Sequence, residues 1–395
     1  MYPICMDLGS ALAYSCGMIF KPVATLLLCS AALLAQPEVL ITGLRAPNKL
    51  LLTPQGNFLV TETSMAINDG RISFVSRAGV RRSLIEGMPS GTEVTLTGGS
   101  GPSAMALRGR TLYVTIGAGD GERRGATPGT SIHNPAGVSS PLFASILEIR
   151  FSTDIDVISG TFPLTPEIQQ RMADGRTVEV SDGSGSTAQF SLLTKFPVSE
   201  ADRIAVYRFS NPWSLAFTPD GSGLYAGDAS MNAINRIDLA TGRWQRLLRF
   251  APVPNPTPVG APMLDAVPTS VRVYGDKLLV SLLTGFPFVP GNSRVMLADP
   301  EAGTSQQFMF DLTSATDVLW RPRGNARAQF FVLEFSMNQS ASAPPPGRLL
   351  QFDNEESRVA AAPLITPVSM ALDDAAGELF ILELRGQILR LKLNN

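Results

Sequence analysis

Histidine is almost missing from this sequence: His133 stands alone among 395 residues. A His-rich zinc centre is thereby excluded, and a Ser-His-Asp triad would have to pass through that one side chain. Cysteine is nearly as scarce. Cys5, Cys16 and Cys29 all fall in the first thirty residues, so a chain trimmed after them has no disulfide and no cysteine nucleophile. Charged residues make up only 17%, the formal net charge is −2, and there is no basic block. Neither nucleic acid nor an anionic membrane surface is therefore an expected partner. No G-x-S-x-G elbow and no D-x-D-x-D-G calcium loop occurs. The glycines of GGSG (98–101) follow a turn rather than a strand leading into a helix, which does not support a phosphate loop.

What the sequence does hold is 44% apolar residues, with 35 glycines and 30 prolines spread along its length. That mixture suits many short strands joined by turns. Residues 21–35, KPVATLLLCSAALLA, read as a signal peptide within a leader of residues 1–35. One lysine precedes about a dozen apolar or small residues, and Ala35-Gln36 is the cleavage point, with cleavage after Ala32 as the rival. The run is shorter than the ~20 residues of a membrane helix. A lipoprotein site at Cys29 fits less well, because Leu28 before it is large. Residues 1–17 read as an upstream extension, with Met18 as the working start. The expectation is an exported protein, periplasmic or extracellular, with residues 36–395 as the mature chain and no membrane span in it.

The mature chain repeats itself. Its clearest unit is Asn211–Asp228, NPWSLAFTPDGSGLYAGD: a strand, a turn on Thr218-Pro219-Asp220-Gly221, a second strand and a closing acid. Proline presets φ at the first turn position, and glycine accepts the positive φ that follows. Segments 46–62, 101–116, 267–282, 314–334 and 366–383 follow the same plan. The anchors Pro47, Pro102, Pro212, Pro268, Ala315 and Pro367 are spaced by 55, 110, 56, 47 and 52 residues. A third strand follows each pair, at 71–75, 145–151, 233–239, 294–299, 348–353 and 387–393. An outer fourth strand is expected at 81–85, 244–250, 306–310 and 359–364. Four antiparallel strands per roughly fifty residues is a propeller blade. The prediction is all-β, a six-bladed β-propeller.

The lone strand 38–42 is predicted to pair as the outer strand of the last blade and close the ring, since unpaired edges are a liability. Residues 152–205 are read as an insertion in blade 2. They contain a short helix in TPEIQQRMADG and a flexible SDGSGSTAQ stretch, and the insertion is expected to carry a hairpin. Making that segment a blade of its own would give seven blades, which the pattern favours less.

The units resemble NHL-type propeller repeats, with a Pro-led strand, an apolar-PDG turn and a strand ending in an acid. LLTGFPFVPGNSRV (282–295), GPSAMALRGRTLYVTIG (101–117) and the opening VLITGL (39–44) resemble the ScyD/ScyE family of exported proteins. The resemblance spans residues 38–393, is most specific at TGFPF, and fails over 152–205. It implies an exported six-bladed propeller and carries no catalytic residues across.

Two repeated positions are predicted to face one mouth of the central channel. One lies two residues after each anchor: Lys49, Ala104, Ser214, Ser270, Asp317 and Ser369. The other closes the second strand: Glu62, Ile116, Asp228, Leu282, Glu334 and Glu383. Lys49, Glu62, Asp228, Asp317, Glu334 and Glu383 are thus candidate ligand contacts. The acids Glu62, Asp228, Glu334 and Glu383 are also candidate ligands for Ca²⁺, a hard cation taking about 6–8 oxygens. The alternative is that each acid accepts backbone N–H bonds within its own blade. His133 lies in a Gly/Pro loop of blade 2 and is a general base near neutral pH, a ligand, or a surface side chain without a role. Asp120, Glu122, Arg123 and Arg124 make the same loop a candidate ligand contact. The GFPFVP loop (285–290) either exposes Phe286 and Phe288 for recognition or covers the blade stack. Two functions follow. One is a monomeric scaffold binding a small molecule or protein at the channel mouth. The other is a calcium-dependent hydrolase of the lactonase or gluconolactonase type.

Overall fold

Each of the six anchors opens an innermost strand: Pro47–Leu52, Pro102–Arg108, Pro212–Phe217, Pro268–Tyr274, Ala315–Arg323 and Pro367–Asp373. In this computed structural model the described residues are 36–393, apart from 94–97, 125–130, 198, 202–206, 325–326 and 354–355. The expected leader and its three cysteines lie outside them. Each innermost strand begins an antiparallel sheet of four or more strands, and the six sheets form the blades of a β-propeller. Closure is as predicted. Glu38–Ile41 pairs with Gln387–Lys392 as the outer strand of blade 6, with Val39 opposite Leu389 and Ile41 opposite Ile388.

The core counts the blades a second time. Among the described residues the buried apolar side chains fall into six clusters, one at each blade interface. Phe58 of blade 1 meets Phe380 of blade 6 edge-on, with ring centroids 4.9 Å apart. Fully burying such a side chain contributes about 1.5–3 kcal/mol. Alternation along each strand therefore produces interlocked interfaces rather than a single central core.

Residues 152–197 serve blade 2 and clamp it to blade 1. Thr187–Lys195 is the outer strand of blade 2, and Val178–Ser181 pairs beyond it as a fifth. Phe162-Pro163 runs parallel to Ile85-Glu86 on the outer strand of blade 1. The helix Pro166–Ala173 starts at Thr165, whose hydroxyl accepts the Ile168 N–H, and stops before Gly175 at φ 81°. Its buried Gln169 donates to Gly87 O at 2.9 Å and accepts from Ser140 Oγ at 2.6 Å, so it touches both blades. The interface between these two blades buries Phe162, Leu164 and Met172 from this segment.

Strand direction sorts the connections onto two faces. Innermost strands run away from one face and second strands return to it, so that face carries the second-to-third and blade-to-blade connections. Several are long: 89–101, 117–144, 196–211, 250–267, 283–292 and 335–346. Short ribbons form in them, for example Glu122–Arg124 with Ser131–His133 and Val253–Pro254 with Met263–Leu264. The other face has tight turns such as 53–57 and 218–222, apart from 152–186. In the TPDG turn the Gly221 N–H donates to Thr218 O at 2.9 Å, and Gly221 has φ 69°.

Candidate functional site

The residues two beyond each anchor owe their direction to a repeated irregularity. In all six blades the pairing of the innermost strand shifts just after the anchor. A bulge re-aims the side chain that follows it. Lys49, expected as a ligand contact, is buried and crosses from blade 1 to blade 4, where Nζ donates to Thr269 O at 3.0 Å. Burial lowers its pKa to about 8, against the pull of Asp317.

Asp317 is fully buried and joins three blades. It accepts Ser270 Oγ at 2.6 Å and Arg272 Nη2 at 2.9 Å from blade 4, the Met370 N–H at 2.9 Å from blade 6, and its own blade's Val318 N–H at 2.9 Å. Burial pushes this carboxyl up, but Arg272 and Lys49 outweigh it and hold the carboxyl below its ordinary value. The channel at this level narrows to a cavity of about 40 Å³, lined by Lys49, Ala104, Ser214, Ser270, Arg272 and Ser369. That space takes a few waters or one small ion and nothing larger. Arg272 was missing from the sequence-based candidates. It lies two residues beyond Ser270 on one strand, so period-2 alternation puts it on the same side.

The strand-end acids occupy equivalent places, each within its own blade. Glu334 accepts the Thr313 N–H at 2.7 Å and also Arg348 Nε. Glu383 accepts the Ile365 N–H at 2.6 Å and Arg385 Nε at 2.7 Å. Glu62 accepts the Arg45 N–H and Ser73 Oγ. Asp228 accepts the Asn211 N–H at 2.9 Å, the Met231 N–H at 3.0 Å and Ser210 Oγ. A glutamate reaches the N–H two residues before its anchor, and the aspartate, one methylene shorter, reaches the N–H one residue before. All four are at most 1% exposed. Burial raises the Asp228 carboxyl, against its hydrogen bonds. Among the described residues no group of three or more His, Cys, Asp or Glu side chains is placed to hold a metal ion.

His133 stands outside the channel, on the ribbon over blade 2. Its ring is exposed, with Nε2 2.9 Å from Ser199 Oγ and an edge-on contact to Phe209 at 5.1 Å. Glu122, opposite His133 in the ribbon, and nearby Glu93 are both buried carboxyls, and of the two only Glu93 was not singled out in the sequence. Burial, reinforced by Glu122, raises Glu93 to about 7. Burial likewise raises Glu122, against a hydrogen bond from Ser131.

Apolar side chains complete this face. Phe286 is 58% exposed while Phe288 is half-buried, so the GFPFVP loop both displays and covers. Gly260 of the 253–264 ribbon lies against the Phe286 ring, where an added Cβ would come within 3.2 Å of it.

No protein-family model matches the chain, and no curated protein matches it either. Solved structures do resemble it in fold. The PQQ-bound aldose sugar dehydrogenase of Streptomyces coelicolor is 16% identical with a TM-score of 0.47, over 90% of this chain and 96% of that one. Hydrazine synthase of Kuenenia stuttgartiensis is 16% identical with a TM-score of 0.45, over 86% and 74%. A structural-genomics protein of unknown function from Bacteroides thetaiotaomicron is 12% identical with a TM-score of 0.48, over 91% and 72%.

Proposed function

We propose that the protein is an exported scaffold of the ScyD/ScyE kind that binds a small molecule or protein on its loop-bearing face. The observation that carries this reading is where the apolar surface lies. Of the twelve large hydrophobic side chains exposed among the described residues, eight are on connections of that face: Met65, Ile67, Ile132, Val138, Val259, Met263, Phe286 and Met337. An excess of exposed apolar side chains on one face favours an interaction site there, contiguous apolar surface being what marks such sites. Lys49 and Asp317 act here by closing the channel beneath the site. Hydrogen bonds of the four strand-end acids inside their own blades favour the scaffold over the calcium-dependent lactonase.

One observation favours a second reading. His133 and Ser199 form a base–hydroxyl pair on the same face, which a hydrolase would use to activate a nucleophile or water. In that case lactones or simple esters are cleaved, and His133→Ala abolishes the cleavage.

A photo-crosslinking residue placed at position 286, and at Val80 on the opposite face as a control, tests the scaffold reading in cells that export the protein. A discrete adduct from 286 and none from 80 is expected. Matching patterns from the two positions, or no adduct from 286, would overturn it.

A further inference from the structure

The innermost strands present a ring of inward donors, and in one half of it a carboxylate and a serine already take all three. Three residues beyond the anchor, the backbone N–H turns away from the second strand of its blade and toward the channel. Leu50 N–H donates to Ser369 Oγ at 3.3 Å, and Val318 and Met370 N–H donate to Asp317, both at 2.9 Å. Asp317 thus behaves as a built-in anion for blades 5 and 6, with Ser270 Oγ and Arg272 completing its shell. The equivalent residues of blades 2, 3 and 4 are Met105, Leu215 and Val271, and all three line the 40 Å³ cavity. By the same repeat their N–H groups face into it.

The other donors of that half are unspent. Ser214 is 3% exposed, and its Oγ has no hydrogen-bond partner. Lys49 Nζ carries three N–H donors, of which the contact with Thr269 O uses one. Ala104, the blade 2 counterpart of Asp317, offers no acceptor. The cavity wall also carries two cations, Lys49 and Arg272, with Asp317 as the acid beside them. A buried positive charge without a counter-charge is costly, and so is a buried hydroxyl without a partner.

We propose that this cavity binds one small monovalent anion, of halide or formate size, between the Lys49 ammonium, the Ser214 hydroxyl and the inward N–H groups of Met105, Leu215 and Val271. The bound anion does for blades 2 to 4 what Asp317 does for blades 4 to 6, and it completes the polar plug of the channel. This site is independent of whatever binds on the loop-bearing face.

Crystals of the wild-type protein grown in sodium bromide test it directly. An anomalous peak beside Lys49 Nζ and Ser214 Oγ is expected. Water alone at that position overturns the proposal. Thermal unfolding at rising bromide, at constant ionic strength, provides the second readout. Wild type should show a saturable rise in Tm that is lost in Lys49→Met and weakened in Ser214→Ala. General salt effects are common to all three proteins and cancel. The same bromide response in wild type and both variants overturns the assignment. Should Lys49→Met fail to fold, Ser214→Ala and the wild-type crystal still decide.

Discussion

Asp317→Ala is the substitution whose cost the ring geometry makes most explicit. The carboxylate is fully buried and joins blades 4, 5 and 6 through Ser270, Arg272, Val318 and Met370. Removing one partner of a buried ion pair typically costs about 3–5 kcal/mol. Arg272 is 31% exposed, so water recovers part of its solvation and the pair itself falls toward the lower end. The Val318 and Met370 N–H groups and the Ser270 hydroxyl lose their acceptor, at about 1 kcal/mol or more for each one that water does not reach. The sum is roughly 4–6 kcal/mol, set by how many of those three groups water reaches, and it is a large part of the ~5–15 kcal/mol that holds a typical domain together. Equilibrium unfolding in urea measures it, with a lower midpoint at an unchanged slope as the expected result. Glu38→Ala is the control, since it removes an exposed partner of Arg390 at the ring seam and should shift the midpoint little. A cost for Asp317→Ala below about 1 kcal/mol, the scale of a single ordinary hydrogen bond, would refute the plug as a structural keystone.

Two further outcomes are expected. Glu93 has its carboxyl raised from 4.5 to about 7 by burial and by Glu122, so the folded state holds this proton more tightly than the unfolded chain. Stability from this group is fully present below the ordinary glutamate value and is lost as pH rises through 7, by roughly 3 kcal/mol at the top of that range. Glu93→Gln should flatten that decline when wild type and variant are unfolded in urea from pH 4 to pH 8, and an unchanged slope with pH would contradict the buried neutral carboxyl. Deleting residues 36–42 removes the outer strand of blade 6 and leaves Gln387–Lys392 as an open edge. The shortened protein should melt earlier and aggregate in a concentration-dependent way on a sizing column, whereas wild-type behaviour would show that the ring closes without that strand.

The blades were legible in the sequence because each strand pair is local. A proline, an alternating strand, a Gly or Asp turn and a second strand sit within about twenty residues, and that short-range chemistry is enough to form the hairpin. The outer strand of blade 2 was not legible in the same way. Thr187–Lys195 is separated from its partner Ser145–Phe151 by the whole of 152–186, so no local turn ties them. The helix was readable from Pro166 and Gly175, but its clamping of blade 1 through Gln169 is a contact over 82 residues.

For the candidate site, the repeat placed Lys49, Asp317 and the strand-end acids at equivalent positions. It did not reveal which of them meet, because that depends on ring geometry. Lys49 reaches the opposite blade, whereas each strand-end acid turns back to an N–H some seventeen to twenty-one residues earlier. Nor does hydrophobicity tell display from cover: Phe286 and Phe288 are the same residue type two positions apart, one exposed and one half-buried.

The functional reading turns on the strand-end acids being hydrogen-bonded structure rather than metal ligands, which leaves binding to the loops above them. Thermal unfolding of residues 36–395 with Ca²⁺ and with a chelator tests this most directly. Superimposable transitions are expected. A native-state ion at 100 times its dissociation constant would stabilise the fold by about 2.7 kcal/mol. A calcium-dependent rise of that size, lost on substituting Glu62, Asp228, Glu334 or Glu383 with the corresponding amide, would contradict the account and return the lactonase to first place.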